Sequence, residues 1–74
     1  MILTDGTHLV SDASLEELHR FAKRLELKES WFQYILPSHK VPHYDLTSLS
    51  KKLLAIKLGA VFVPQKELVK RAVR

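Results

Sequence analysis

The chain has 74 residues, 46% hydrophobic and 27% charged, with two glycines and three prolines, the balance of one small globular domain near the size limit for a single core. It contains no cysteine, which excludes disulfides and thiolate metal sites. No apolar run approaches the roughly 20 residues that span a bilayer, so a soluble, unexported, cytoplasmic protein with no membrane partner is expected.

Ile2-Leu3 and Leu9-Val10 flank the turn signal Asp5-Gly6, which predicts a short hairpin or one irregular strand, with a strand favoured over His8 to Ser11. Ser14-Leu15-Glu16-Glu17 has the form of a capping box, in which a serine and the glutamate three residues on satisfy each other's backbone amides. An amphipathic helix follows: Leu15, Leu18, Phe21, Ala22 and Leu25 keep helical spacing, with Arg20, Lys23 and Arg24 opposite. Trp31 to Leu36 is rich in strand-favouring residues and reads as a short strand or turn. Pro37 to Pro42 reads as an exposed loop.

In His43-Tyr44-Asp45-Leu46 an extended backbone directs Tyr44 and Leu46 to the core and His43 and Asp45 to the other face, toward water or a cleft. Thr47 to Ser50 supplies N-cap candidates for a second helix, with Leu49, Leu53 and Ile56 on one stripe and Leu54 and Leu58 on another, so this helix is expected to be central. Gly59 suits a helix C-cap. Ala60 to Val63 then reads as a strand buried on both sides, and Gln65 to Arg74 as a short helix with Leu68, Val69 and Ala72 inward and Lys66, Lys70, Arg71 and Arg74 outward.

This order predicts a single small α/β domain over residues 1–74: one sheet of three to four short strands, two long helices and a short C-terminal helix. Right-handed crossovers would link strands on either side of each long helix. In a parallel sheet of that kind, ligands gather in the loops after the strands. His8 opens the segment His8 to Asp12 at the end of a strand and before the first helix, and Asp12 and Asp45 both fall in strand-to-helix loops, which would place them at one edge of the sheet.

Each residue also has a bland reading. Asp12 and Asp45 suit helix N-termini, His19 suits half-buried packing at the edge of the first helix's stripe, and His39 suits an exposed loop. Two of Trp31, Phe32 and Tyr34 are expected in the core, with Trp31 the best placed to line a pocket. His43 is the leading functional residue, since a carboxylate beside its ring would fix a tautomer and raise its basicity. No paired-histidine spacing, glycine-rich phosphate loop or serine elbow is present. No cofactor is therefore expected, and a divalent metal on His8, Asp12, His43 and Asp45 is the alternative that would require their loops to meet.

Charge is unevenly placed. Residues 1–46 carry five Lys/Arg against seven Asp/Glu, whereas residues 47–74 carry seven against Glu67 alone. A basic third of this kind either keeps a helix surface soluble or attracts phosphates.

Taken together, the segments His8-Leu9-Val10-Ser11-Asp12, Leu15-Glu16-Glu17-Leu18-His19, Trp31-Phe32-Gln33, His43-Tyr44-Asp45-Leu46 and Ala55 to Val61 resemble a family of small bacterial and phage proteins, domain of unknown function 4031, over residues 8 to about 70. The resemblance implies that His8, Asp12, His19, Trp31, Gln33, His43, Tyr44 and Asp45 fall on the family's characteristic polar and aromatic positions, with Lys51 or Lys52 at its basic one. It implies no activity. Two departures stand out: seven residues precede His8 where members carry a longer strand and loop, and Phe62 stands where an acidic residue is common, which implies a more buried strand.

The leading expectation is a binding protein for a phosphate-bearing ligand, a nucleotide or nucleic acid, held by His8, Asp12, His19, Trp31, His43 and Asp45 with Lys51 and Lys52 on the phosphate. The second is a small metal-dependent hydrolase or nuclease. The third is a phage factor that meets a host protein through the basic C-terminal helix. A domain this small completes a core or pocket most readily as a homodimer.

Overall fold

A computed structural model of the chain describes residues 1–34 and 41–74. His39, Lys40 and most of the expected loop lie outside the described residues. The elements are β1 (Ile2–Thr4), β2 (His8–Ser11), α1 (Leu15–Arg24), a 3-10 turn (Glu29–Trp31), β3 (Tyr44–Asp45), α2 (Leu49–Lys57), β4 (Val61–Phe62) and α3 (Gln65–Arg71). This is the mixed α/β architecture the sequence predicts, with four strands, two longer helices and a short one at the end.

The four strands form one sheet in the order β3-β2-β1-β4. β1 and β2 are an antiparallel hairpin, tied at its tip by Asp5, whose Oδ1 accepts from the amides of Thr7 (2.9 Å) and His8 (2.8 Å). Gly6 sits in that turn at φ 97°, a conformation glycine reaches cheaply. β2 and β3 are also antiparallel, and only β4 joins β1 in parallel. The expected parallel sheet is therefore corrected: the tight turn makes β1 and β2 antiparallel, β3 returns antiparallel to β2 after α1, and only β4 pairs in parallel, with β1.

Cross-strand partners share a face of a sheet. Leu9 pairs with Tyr44, and these residues join Ile2, Leu18, Phe21, Leu25 and Leu46 in one core that α1 and α2 cover. Leu3 pairs with Val10, and these residues join Val41, Val63, Leu68 and Ala72 in a second core that α3 covers.

Ser14 caps α1 by accepting from the Glu17 amide at 3.0 Å, as its sequence form predicts. The reciprocal half of the box is absent. Glu17 turns instead to the Ser11 hydroxyl, and that hydroxyl oxygen accepts from the amide of Ser14. Gly59 ends α2 at φ 111°.

Four expectations of burial are corrected. Within α2 only Ala55 is buried, Leu54 and Leu58 are half-buried, and Leu49, Leu53 and Ile56 are exposed, so the helix is peripheral and packs by its second stripe. Val61 and Phe62 form an exposed edge strand, not a buried one. Trp31 and Tyr34 are exposed and Phe32 alone packs against the core, because Trp31 ends a 3-10 turn and Gln33 meets His43 only through an isolated bridge. Val41 and Pro42, expected in an exposed loop, are buried.

Candidate metal centre

The antiparallel pairing of β2 with β3 decides which polar side chains meet. His8 opens β2 and pairs with Asp45, which closes β3. His43 lies two residues before Asp45 and so points to the same side of the sheet. The ligand-capable atoms of His8, His43 and Asp45 all lie within 4.8 Å of one another, the only such trio among the described residues. His43 Nε2 is 3.4 Å and His8 Nε2 3.9 Å from Asp45 Oδ1, and the two rings meet edge to face with centroids 5.4 Å apart.

Outer partners determine which ring nitrogen faces inward. His43 Nδ1 lies 2.7 Å from the Val41 carbonyl oxygen, which only accepts, so Nδ1 carries a proton and the neutral ring presents its Nε2 lone pair to the centre. His8 Nδ1 lies 2.9 Å from Asp5 Oδ2. Burial works against the Asp5 charge, but the His8 ring and the amides of His8 and Thr7 outweigh it and hold the carboxyl below the usual carboxylate range. An ionised Asp5 accepts, so His8 too is protonated on Nδ1 and offers Nε2 inward.

Gln33 completes this outer layer. Its side-chain amide donates to Asp45 Oδ2 at 3.2 Å, and its backbone exchanges two hydrogen bonds with His43 (2.9 and 2.8 Å). Asp45 Oδ1 is left to the centre. Two lone pairs and a carboxylate oxygen thus converge with no donor between them, an arrangement that a cation stabilises. Ligand atoms about 2.1 Å from a common tetrahedral ion lie about 3.4 Å apart, and both distances to Asp45 fall within about half an ångström of that. His43 is 1% exposed while the Asp45 side chain is 37% exposed, so the set is held rigidly at one side and open at the other.

Of the remaining candidates, Asp12, His19 and Lys51 lie elsewhere. Asp12 follows the far end of β2, about 13 Å from His8 along an extended chain, because antiparallel strands place their C-terminal ends at opposite edges. It accepts from the Met1 amino group (2.9 Å) and from Arg71 (3.0 Å), and these cations hold its carboxyl below the usual range. Arg71, expected to face outward, folds back onto it.

His19 is half-buried on the opposite face of the sheet, with Nδ1 2.6 Å from the Tyr44 hydroxyl and its ring against Phe32. Burial, with Glu29 adding, pushes the Tyr44 hydroxyl up. Lys51 donates to the Leu25 carbonyl and lies 4.0 Å from Glu26, closing the end of α1 rather than meeting the histidines. The ammonium end of Lys52 lies against Gly6, in the turn between Asp5 and His8. Trp31 joins Ser30, Gln33, Asp45 and Thr47 around an open groove of about 250 Å³.

Asp5 is the member of the candidate site that sequence reasoning missed, because Asp-Gly reads fully as a turn. Its spacing of three residues from His8 across that turn is the available signal.

A family model described as protein of unknown function (DUF4031) matches residues 4–74. No curated protein and no solved structure matches the chain.

Proposed function

The chain belongs to that family of unknown function, and from this premise we propose that it is a divalent-metal protein with His8, His43 and Asp45 as ligands, acting as a hydrolase on a phosphate ester. The observation that carries the reading is the outer layer: each inner atom has its opposite side tied down, His8 by Asp5, His43 by the Val41 carbonyl and Asp45 by Gln33. Metal-binding histidines characteristically donate their other ring N–H to a carboxylate or a backbone carbonyl.

Two histidines and one carboxylate suit Zn²⁺, Mn²⁺ or Fe²⁺. Three protein ligands would leave positions for water or substrate, as catalytic sites do, and an ion so held would polarise an ester and acidify a water. The phosphate expected from the basic C-terminal third thereby gains an anchor other than Lys51, which is engaged at the end of α1. Lys52 lies against the turn that carries Asp5 and His8.

The test is titration of chelator-stripped protein with Co²⁺. One equivalent should bind with a visible absorption band, and His43→Ala and His8→Ala should each abolish it. Undiminished binding in both variants, or none in the parent, overturns the metal assignment. Zn²⁺- or Mn²⁺-loaded protein should also cleave a chromogenic phosphodiester, and a loaded protein inert to phosphate mono- and diesters would leave a binding centre without the hydrolase.

A further inference from the structure

We propose that the groove beside the centre is a nucleobase subsite: a base stacks on Trp31 while the phosphate ester of the same molecule reaches the ion. The phosphate end rests on the metal reading above, whereas the base end rests on the groove itself.

Two groups of the centre, Asp45 and Gln33, also line the groove, so a molecule seated there is next to the ligand set. At about 250 Å³ the groove is just below the usual range for whole small-molecule pockets and suits one flat fragment. It is lined by Trp31 and by four residues that carry polar groups, Ser30, Thr47, Gln33 and Asp45, and most of its exposed surface is apolar. A base fits that mixture, with a π-face for the apolar ring and polar edges for the hydroxyls.

Trp31 itself carries the inference furthest. It is the chain's single tryptophan, yet it is 43% exposed and belongs to neither core. Large apolar rings are strongly stabilising when buried, so a ring left at the lip of a groove is available for stacking. Lys28 Nζ stands 5.6 Å from the Trp31 ring centroid and brings a cation beside the platform, where a negatively charged ester would pass. Stacking on an aromatic face close to a positive charge is how single-stranded nucleic acids and nucleotides are held without sequence readout.

Trp31 fluorescence reports the test directly. Zn²⁺-loaded protein is titrated with adenosine monophosphate, a short oligothymidylate, ribose 5-phosphate and inorganic phosphate. The base-bearing ligands should quench saturably and the other two should not; the tighter of the mononucleotide and the oligomer identifies a free nucleotide or a single-stranded end as the source. By calorimetry Trp31→Ala should weaken the base-bearing ligand about tenfold or more, Trp31→Phe should retain most of the affinity, and both should bind Zn²⁺ as the parent does. Zn²⁺ binding at full affinity with no quenching, or inorganic phosphate binding as tightly as the nucleotide, overturns the base subsite and leaves the metal centre standing. Quenching by nucleotides in a protein that binds no Zn²⁺ does the reverse.

Discussion

Asp5 shows how one residue can set a fold detail and a site together. Its Oδ1 closes the β1–β2 turn through two amides while its Oδ2 orients the His8 ring. Asp5→Asn keeps an oxygen for the amides but replaces a charged acceptor for the ring by a neutral one, so the turn should survive and the ligand geometry should loosen. The expected outcome is a 10- to 100-fold loss of Zn²⁺ affinity by calorimetry, with an unchanged far-ultraviolet dichroism spectrum. Tyr44→Phe is the contrasting case, because its hydroxyl meets His19 across the sheet from the centre. It should lose about 1 kcal/mol of stability in a urea titration and leave Zn²⁺ affinity as in the parent. The difference between these residues tracks what the sequence discloses. Alternation along β3 separates Tyr44 from His43 and Asp45 without any structure, but nothing local distinguishes an aspartate that closes a turn from one that also holds a ring across it.

Among the elements, both long helices are legible as helices, but only α1 discloses the face it buries. The first has one apolar stripe and charges opposite, so only one face can turn inward, and Leu18, Phe21 and Ala22 do. The second carries apolar residues on two stripes, and periodicity gives no means of choosing between them; packing places Ala55, with Leu54 and Leu58, against the core and leaves Leu49, Leu53 and Ile56 outside. Truncation separates the two situations. Leu18→Ala removes a fully buried side chain and should lose about 2–5 kcal/mol by chemical denaturation, whereas Leu53→Ala should change stability by less than about 0.5 kcal/mol. A large loss at Leu53 would mean that a partner covers this face in solution. The capping serine behaves as its sequence form suggests, and Ser14→Ala should lose about 1 kcal/mol because it leaves the Glu17 amide without its acceptor.

At the scale of the whole molecule, strand direction is what sequence reading lacks, and it decides the site. With parallel strands Asp12 would stand beside Asp45; with β2 antiparallel to β3, the start of one strand faces the end of the other, and His8 takes that place. The same frame couples stability to pH and to metal. Asp5, Asp12 and Glu17 are all held below their ordinary values of 3.8, 3.8 and 4.5. The unfolded chain therefore binds protons more readily than the fold does. Their contribution is complete above about pH 4.5 and is lost as pH falls through the folded-state values, so the melting temperature should decline in acid, and Asp5→Asn should flatten that decline. On the proposed assignment, metal linkage adds to this. Zn²⁺ at 100 times its dissociation constant should add about 2.7 kcal/mol, raising the melting temperature by roughly 10–20 °C for a domain of this size. A proton on either Nε2 occupies the lone pair the ion needs, so protons compete with the ion and the Zn²⁺-dependent increment should shrink as pH is lowered. Melting curves across pH, with and without Zn²⁺, resolve the two. An increment that stays constant to the point of acid unfolding would mean the ion is held by groups other than His8 and His43.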